Sequence, residues 1–304
     1  RASALATTQS TTIADRIRAS QGVEVELVQI STEGDRSSEP LTEMGGQGVF
    51  VTALRDALIS GEIDIAVHSL KDLPTAPDPR LVIAAIPQRV DPRDCLVARD
   101  GLTLGELPQG ARVGTGSPRR EAQLNALGLG VEVVPIRGNV DTRLSKVASG
   151  DYDAVLLARA GLLRLGRAEE ATELMDPLQM LPAPGQGALA CECRVDDAAT
   201  IRLLDGLDDA DTRVAVTAER SLLAALEAGC SAPVGALAEV ATGDDGDELW
   251  LRAVVGDISG SPTIRLSATG LPSEAAAVGE RLAAEMLAEG ADTLVAVASP
   301  TPGR

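Results

Sequence analysis

Aromatic side chains are almost missing from this chain of 304 residues, which has one Phe, one Tyr and one Trp. Phe50, Tyr152 and Trp250 are too few and too scattered for base-stacking platforms. Histidine occurs once, as His68, which leaves a hydrolytic triad no second candidate for its base. The four cysteines, Cys95, Cys191, Cys193 and Cys230, have neither metal-ligand nor disulfide-framework spacing. No metal site is therefore expected, and a reducing cytoplasm is the expected location. No apolar run approaches the roughly 20 residues that span a bilayer.

Positive charge is scarce overall. The net charge is -18 with a sequence pI near 4.5, so phosphate backbones and anionic lipid are repelled, and neither nucleic acid nor membrane is expected as a partner. The distribution is more informative than the sum. Residues 112 to 167 hold nine basic groups against five acidic ones. Of the 27 basic residues in the chain only Lys71 and Lys146 are lysine. A basic, arginine-built island in an acidic protein suits a small polyanion, because planar guanidinium forks bind carboxylates in a bidentate manner.

Apolar spacing predicts a helix over 4–18, a strand through Val23, Val25 and Leu27, a long exposed loop over 31–48, a helix through Phe50, Leu54 and Leu58 ending near Gly61, and a strand over 63–67. Strands at 111–115, 131–136 and 153–158 then alternate with helices at 118–127, 139–149 and 160–166. This rhythm implies βαβ units, mainly parallel sheets and two doubly wound α/β domains, with ligands beyond the carboxyl ends of the strands. Residues 1–87 with 188–205 form the expected first domain and 88–187 the second. A long helix over 211–228, capped by Gly229 in the left-handed conformation, leads into strands at 234–240, 248–255 and 263–269 and a helix at 274–289. This is an expected α+β third domain over 210–304.

Three turns carry candidate chemistry. His68-Ser-Leu-Lys71-Asp72 follows a short buried strand and sets a cation beside a carboxylate; a solvated exit turn is the plain alternative. Gly114-Thr115-Gly116-Ser117-Pro118-Arg119-Arg120 reads as a tight turn into a helix, with Ser117 at the N-cap and Pro118 at the first helical position. Two arginines in a first turn oppose the helix dipole, a placement that needs an anionic partner or other compensation. Arg137, Asn139 and Arg143 repeat the device at the next strand-to-helix turn, and Arg164 lies on the following helix. Cys230 falls between a helix end and a Ser-Ala-Pro turn that could project its thiol.

The ordered segments HSLKDLPT, VGTGSPRR, IRGNVDTRL, PAPGQGALACECR and GCSAPVGA closely resemble the porphobilinogen deaminase (hydroxymethylbilane synthase) family over about residues 1–240. The resemblance implies two domains like those of periplasmic binding proteins with a hinge and crevice, plus the small C-terminal domain. It implies head-to-tail condensation of four porphobilinogen units, each losing ammonia, on a dipyrromethane cofactor joined by a thioether to Cys230. Asp72 matches the catalytic aspartate. Lys71, Thr115, Ser117, Arg119, Arg120 and Arg143 match the residues binding the cofactor's carboxylates; Arg1, Ser3, Gln9, Arg137 and Arg164 match those facing substrate and growing chain. The expected enzyme is a monomer with a small-molecule partner, and the loop over 31–48, with Gln47 where many members have Lys, is expected to close over the site. The family's opening motif normally follows a first strand, so a preceding segment is expected. The alternative is a two-domain anion-binding protein of the solute-binding kind, without catalysis and with no need for Cys230.

Overall fold

The computed structural model describes residues 3–30, 48–229, 232–243 and 246–297. The expectations placed on Arg1, the loop over 31–47 with Gln47, and Cys230 lie outside the described residues. The chain divides into two compact units, residues 1–90 with 187–213 and residues 91–186 with 214–304.

In the first unit Ser3 caps helix α1 (Ala4–Gln21), its side chain accepting from the Ala6 N–H at 3.3 Å. Gly22 ends that helix in the left-handed region (φ 65), where a side chain would be strained. Helix α2 (Gly48–Ser60) leads to strand β1 (Ala66–Ser69), a single 3-10 turn (Leu70–Asp72) and strand β2 (Leu81–Ala85). Strand β8 (Leu189–Arg194) lies between β1 and β2, antiparallel to both. Helix α6 (Ala198–Asp205) closes the layer, and Ile13, Ile17, Ala85, Leu189, Cys191, Cys193 and Leu204 form its core.

Among the described residues the strand expected at Val23–Leu27 has no ladder partner and is not formed. Val23, Leu27 and Val28 are exposed, and the segment lines a cavity of about 670 Å³ with residues 62–67. Alternation marks an extended segment, but a strand exists only where a neighbour completes its hydrogen bonds.

The second unit holds a five-stranded sheet in the order β5-β4-β6-β3-β7, from β3 (Asp94–Ala98), β4 (Arg112–Thr115), β5 (Glu132–Pro135), β6 (Ala154–Ala158) and β7 (Glu173–Leu174). Helices α3 (Pro118–Ala126), α4 (Val140–Ala148) and α5 (Arg159–Arg164) follow β4, β5 and β6. β4 pairs parallel with β5 and β6, as βαβ crossovers require, whereas β3 runs antiparallel to β6 and β7. The expectation of mainly parallel sheets is thus corrected: β3 and β8 are reached through irregular connections and have no crossover helix to fix their direction.

Helix α7 (Ala210–Ala225) precedes a three-stranded antiparallel sheet of β9 (Val234–Gly243), β10 (Gly246–Gly256) and β11 (Thr263–Gly270), covered by α8 (Ala275–Ala288) and followed by α9 (Ala291–Val297). Ala218, Leu222, Leu249, Leu251, Val278, Leu282 and Met286 form its buried core. The left-handed residue after α7 is Glu227 (φ 50) and not Gly229, so the expected glycine cap is corrected. The turn is closed instead by backbone bonds from the Glu227 N–H to Ala224 O and from the Ala228 N–H to Leu223 O. Among the described residues no helix is long and apolar enough to cross a membrane.

Candidate active site

Strand β1 delivers the first set of residues. Its burial alternates, His68 inward and Ser69 partly open, and the chain then tightens into the 3-10 turn that carries Lys71 and Asp72, both half-buried. The Leu70 N–H donates to Ala188 O and anchors the turn to the glycine-rich stretch before β8. From α1, the buried Gln9 donates to the Ser69 hydroxyl at 2.9 Å, so the structure brings Gln9 to the turn that bears Asp72. Behind it Glu192 of β8 takes a two-point contact from Arg55 of α2, with bonds of 3.1 and 2.8 Å. His68 Nε2 lies 3.3 Å from Glu192 Oε2 without hydrogen-bond geometry. Burial would raise the Glu192 carboxyl, but His68 and Arg55 beside it hold it below its ordinary value.

The second unit carries the arginines. Thr115, ending β4, is buried, and its hydroxyl accepts from the Ser117 N–H at 3.2 Å. Gly116 is required between them, because a Cβ there would stand 2.9 Å from Ile136 O. Ser117 holds the N-cap position of α3, as expected, but its side chain makes no capping bond.

Arg119 and Arg120 follow Pro118 in the first turn of α3, and both side chains are buried, at 4 and 7% exposure. The anionic partner this placement needs is Asp94, the first residue of β3 and fully buried. Its Oδ2 accepts from Arg119 at 2.7 Å; its Oδ1 accepts from Arg120 Nε and a terminal nitrogen at 3.1 and 2.8 Å, and from Gln186 Nε2 at 2.8 Å. Burial works against the Asp94 charge, yet Arg119 and Arg120 outweigh it and hold the carboxyl well below the usual range.

Two positive charges share one negative charge in this cluster, and Arg119 Nε is buried with no partner among the described residues. Arg120, by contrast, commits all three nitrogens, the third to Leu156 O.

Nearby turns add cations. Gly138 (φ 110) lets β5 pass into α4, whose cap is Asn139, accepting from the Thr142 N–H at 2.9 Å. Arg143 is half-buried and donates to Gly138 O at 2.9 Å; burial, and then the charge of Arg120, lower its pKa. Neither Arg143 nor the exposed Arg137 pairs with a carboxylate among the described residues. Burial lowers the Arg164 guanidinium to about 10. An orphaned buried guanidinium N–H beside under-neutralised arginines fits a ligand bearing several carboxylates.

Residues 181–186 tie this cluster to the C-terminal part of the same unit. Glu219 of α7, fully buried, accepts from the Gly185 N–H at 2.6 Å and from the Ala238 N–H of β9 at 2.9 Å. The next residue, Gln186, is the one that holds Asp94. Sequence reasoning missed Asp94, Gln186, Glu192 and Glu219. The signal for Asp94 was available, since a carboxylate heading the apolar run Cys95-Leu-Val-Ala98 cannot be buried unpaired. Among the described residues no cluster of His, Cys, Asp or Glu could hold a metal ion.

Fold and site together define an α/β protein with a cluster of buried arginines in excess of their carboxylate. Residues 1–202 match the family model "Porphobilinogen deaminase, dipyromethane cofactor binding domain", and residues 213–288 match "Porphobilinogen deaminase, C-terminal domain". Proteins named porphobilinogen deaminase from Nocardia farcinica and Mycobacterium bovis are 59 and 60% identical to it, covering 100 and 97% of this chain and 89 and 96% of theirs. A solved domain of Bordetella pertussis BvgS aligns at 17% identity and a TM-score of 0.39 over 64% of this chain and 75% of that one. The chain belongs to the porphobilinogen deaminase family, enzymes of tetrapyrrole biosynthesis that carry a dipyrromethane cofactor.

Proposed function

We propose that this chain condenses four porphobilinogen units head to tail, releasing one ammonia per unit, and then frees linear hydroxymethylbilane by hydrolysis. The observation that supports this most directly is the excess of arginine over carboxylate around Arg119, Arg137 and Arg143 in a protein of net charge -18. Each porphobilinogen brings an acetate and a propionate, so substrate and growing chain are polyanions that this charge recognises.

In this reading Cys230 holds the dipyrromethane cofactor through a thioether, and Lys71, Thr115, Ser117, Arg119, Arg120 and Arg143 hold its carboxylates. The cofactor, when bound, supplies the primer whose terminal pyrrole carbon is extended. Ser117 suits the role because its hydroxyl is not spent on capping α3, and Arg119 because its Nε–H has no partner among the described residues. Arg120 contributes charge, each of its nitrogens already making a bond to Asp94 or Leu156 O.

Asp72 is the catalytic group. Its carboxylate accepts hydrogen bonds from pyrrole N–H groups of the substrate and stabilises the cation left when ammonia departs from the aminomethyl carbon. Gln9, through Ser69, steadies the turn that aims Asp72. Ser3, Arg1, Arg137 and Arg164 face incoming porphobilinogen and the lengthening product. We also propose three domains, 1–87 with 188–205, 88–187 and 210–304, supported by the separate C-terminal family match over 213–288. The buried free thiols of Cys95, Cys191 and Cys193 support a reducing cytoplasmic setting.

The test is intact mass before and after brief exposure to porphobilinogen, with peptide mapping of Cys230. Two pyrrole units on Cys230 and a ladder of further single-unit additions are expected. An unmodified Cys230 without a ladder would turn the assignment to a non-catalytic anion binder.

A further inference from the structure

We propose that Asp94 is a positioning residue for the anion site: its carboxylate fixes the two guanidinium groups, leaving the Arg119 Nε–H as a rigid, buried donor for a ligand carboxylate. The proposal rests on the reading above that these arginines hold carboxylates. Asp94 is fully buried, and its two oxygens take four bonds, one from Arg119, two from Arg120 and one from Gln186. Arg119 is held further by Leu181 O, and Arg120 by Leu156 O. Each long side chain is therefore fixed at two places, so little rotamer entropy remains to be lost when an anion binds.

The charges are as informative as the bonds. One carboxylate against two guanidiniums leaves the cluster net positive, enough to attract an anion without two uncompensated cations in a dry interior. Two roles for Asp94 predict opposite signs on its removal. A simple counterweight weakens the field on the ligand, so Asp94→Asn raises the positive charge and tightens anion binding. A positioning group releases the guanidiniums when it is lost, and binding weakens although the site has become more positive.

The full-length protein, Asp94→Asn and Gln186→Leu are compared, with circular dichroism and thermal unfolding to confirm the folded state. Each is also made with Cys230→Ser, which removes the covalent attachment point, and titrated calorimetrically with butane-1,2,3,4-tetracarboxylate. Folded Asp94→Asn is expected to bind this probe about tenfold more weakly and to raise KM for porphobilinogen by a similar factor, with a smaller change in kcat. Equal or tighter binding would overturn the proposal. Should Asp94→Asn not fold, Gln186→Leu decides: it keeps both ion pairs, about threefold weaker binding is expected, and unchanged binding overturns the idea. A wild-type chain that binds the probe but builds no mass ladder removes the catalytic reading while leaving the Asp94 comparison to be read from binding.

Discussion

Each unit buries a carboxylate against arginine, and the two clusters differ in stoichiometry. Glu192 in the first unit meets one guanidinium, Arg55, in a two-point contact. Asp94 in the second meets two guanidiniums. The first is electrically closed on its arginine and ties α2 to β8. The second carries surplus positive charge and a buried Nε–H without a partner among the described residues. A buried ion pair by itself says little about function; the imbalance within it says where an anion belongs.

That contrast can be broken most severely at the carboxylates. Asp94→Ala strands two buried guanidiniums and is expected to cost about 4 kcal/mol in urea unfolding. Glu192→Ala strands Arg55, whose side chain is 16% exposed and can be hydrated, so about 2 kcal/mol is expected. An equal or larger loss at Glu192 would show that stoichiometry does not rank the two clusters.

The arginines separate stability from binding. Arg143→Leu is expected to lower kcat/KM about tenfold and to shorten the product ladder, at about 1 kcal/mol of stability, because among the described residues its side chain bonds only to Gly138 O. Arg55→Leu is expected to reverse that pattern, with unfolding at lower urea and unchanged probe binding. Finding the two variants alike in both measurements would erase the distinction.

Acid sharpens the same comparison. Both carboxyls are held below their ordinary values, 4.5 for Glu192 and 3.8 for Asp94, so their stabilisation is complete above those values and is lost as pH falls through the depressed folded ones. Stability measured from pH 6 to pH 3 should therefore fall less steeply in Glu192→Gln than in wild type below about 4.5. In Asp94→Asn the flattening should begin lower, below 3.8. The smallest effect concerns thiols. Burial pushes Cys95 and Cys191 up to about 12 and Cys193 up to about 11, so iodoacetamide at about pH 8 should leave all three peptides unlabelled until urea is added.

Much of this architecture is legible in the sequence, because hydrophobic period and glycine punctuation are local. The helices at 118–126 and 140–148 and the strands at 112–115 and 154–158 fall within a residue or two of their apolar spacing. Direction and pairing are not local. The antiparallel entry of β3 and β8, and the missing ladder beside Val23–Leu27, depend on which strand lies alongside. The arginines were legible because they oppose the dipole of α3. Asp94 could be marked as a carboxylate in need of a partner, but its pairing with Arg119, 25 residues away, was not legible because strand order brings them together.

Bonds accepted by Glu219 join the surroundings of the basic cluster to a later part of the chain. Every arginine of the anion site precedes residue 165, yet Gly185, the neighbour of Gln186, is held by a carboxylate on α7, which leaves the ribosome later. During vectorial synthesis the basic cluster is thus complete in sequence before α7 and β9, which bond to Gly185 and Pro182, have been made. Premature termination after residue 200 would yield a chain with Arg119, Arg120 and Asp94 but without the Glu219 carboxylate that holds Gly185.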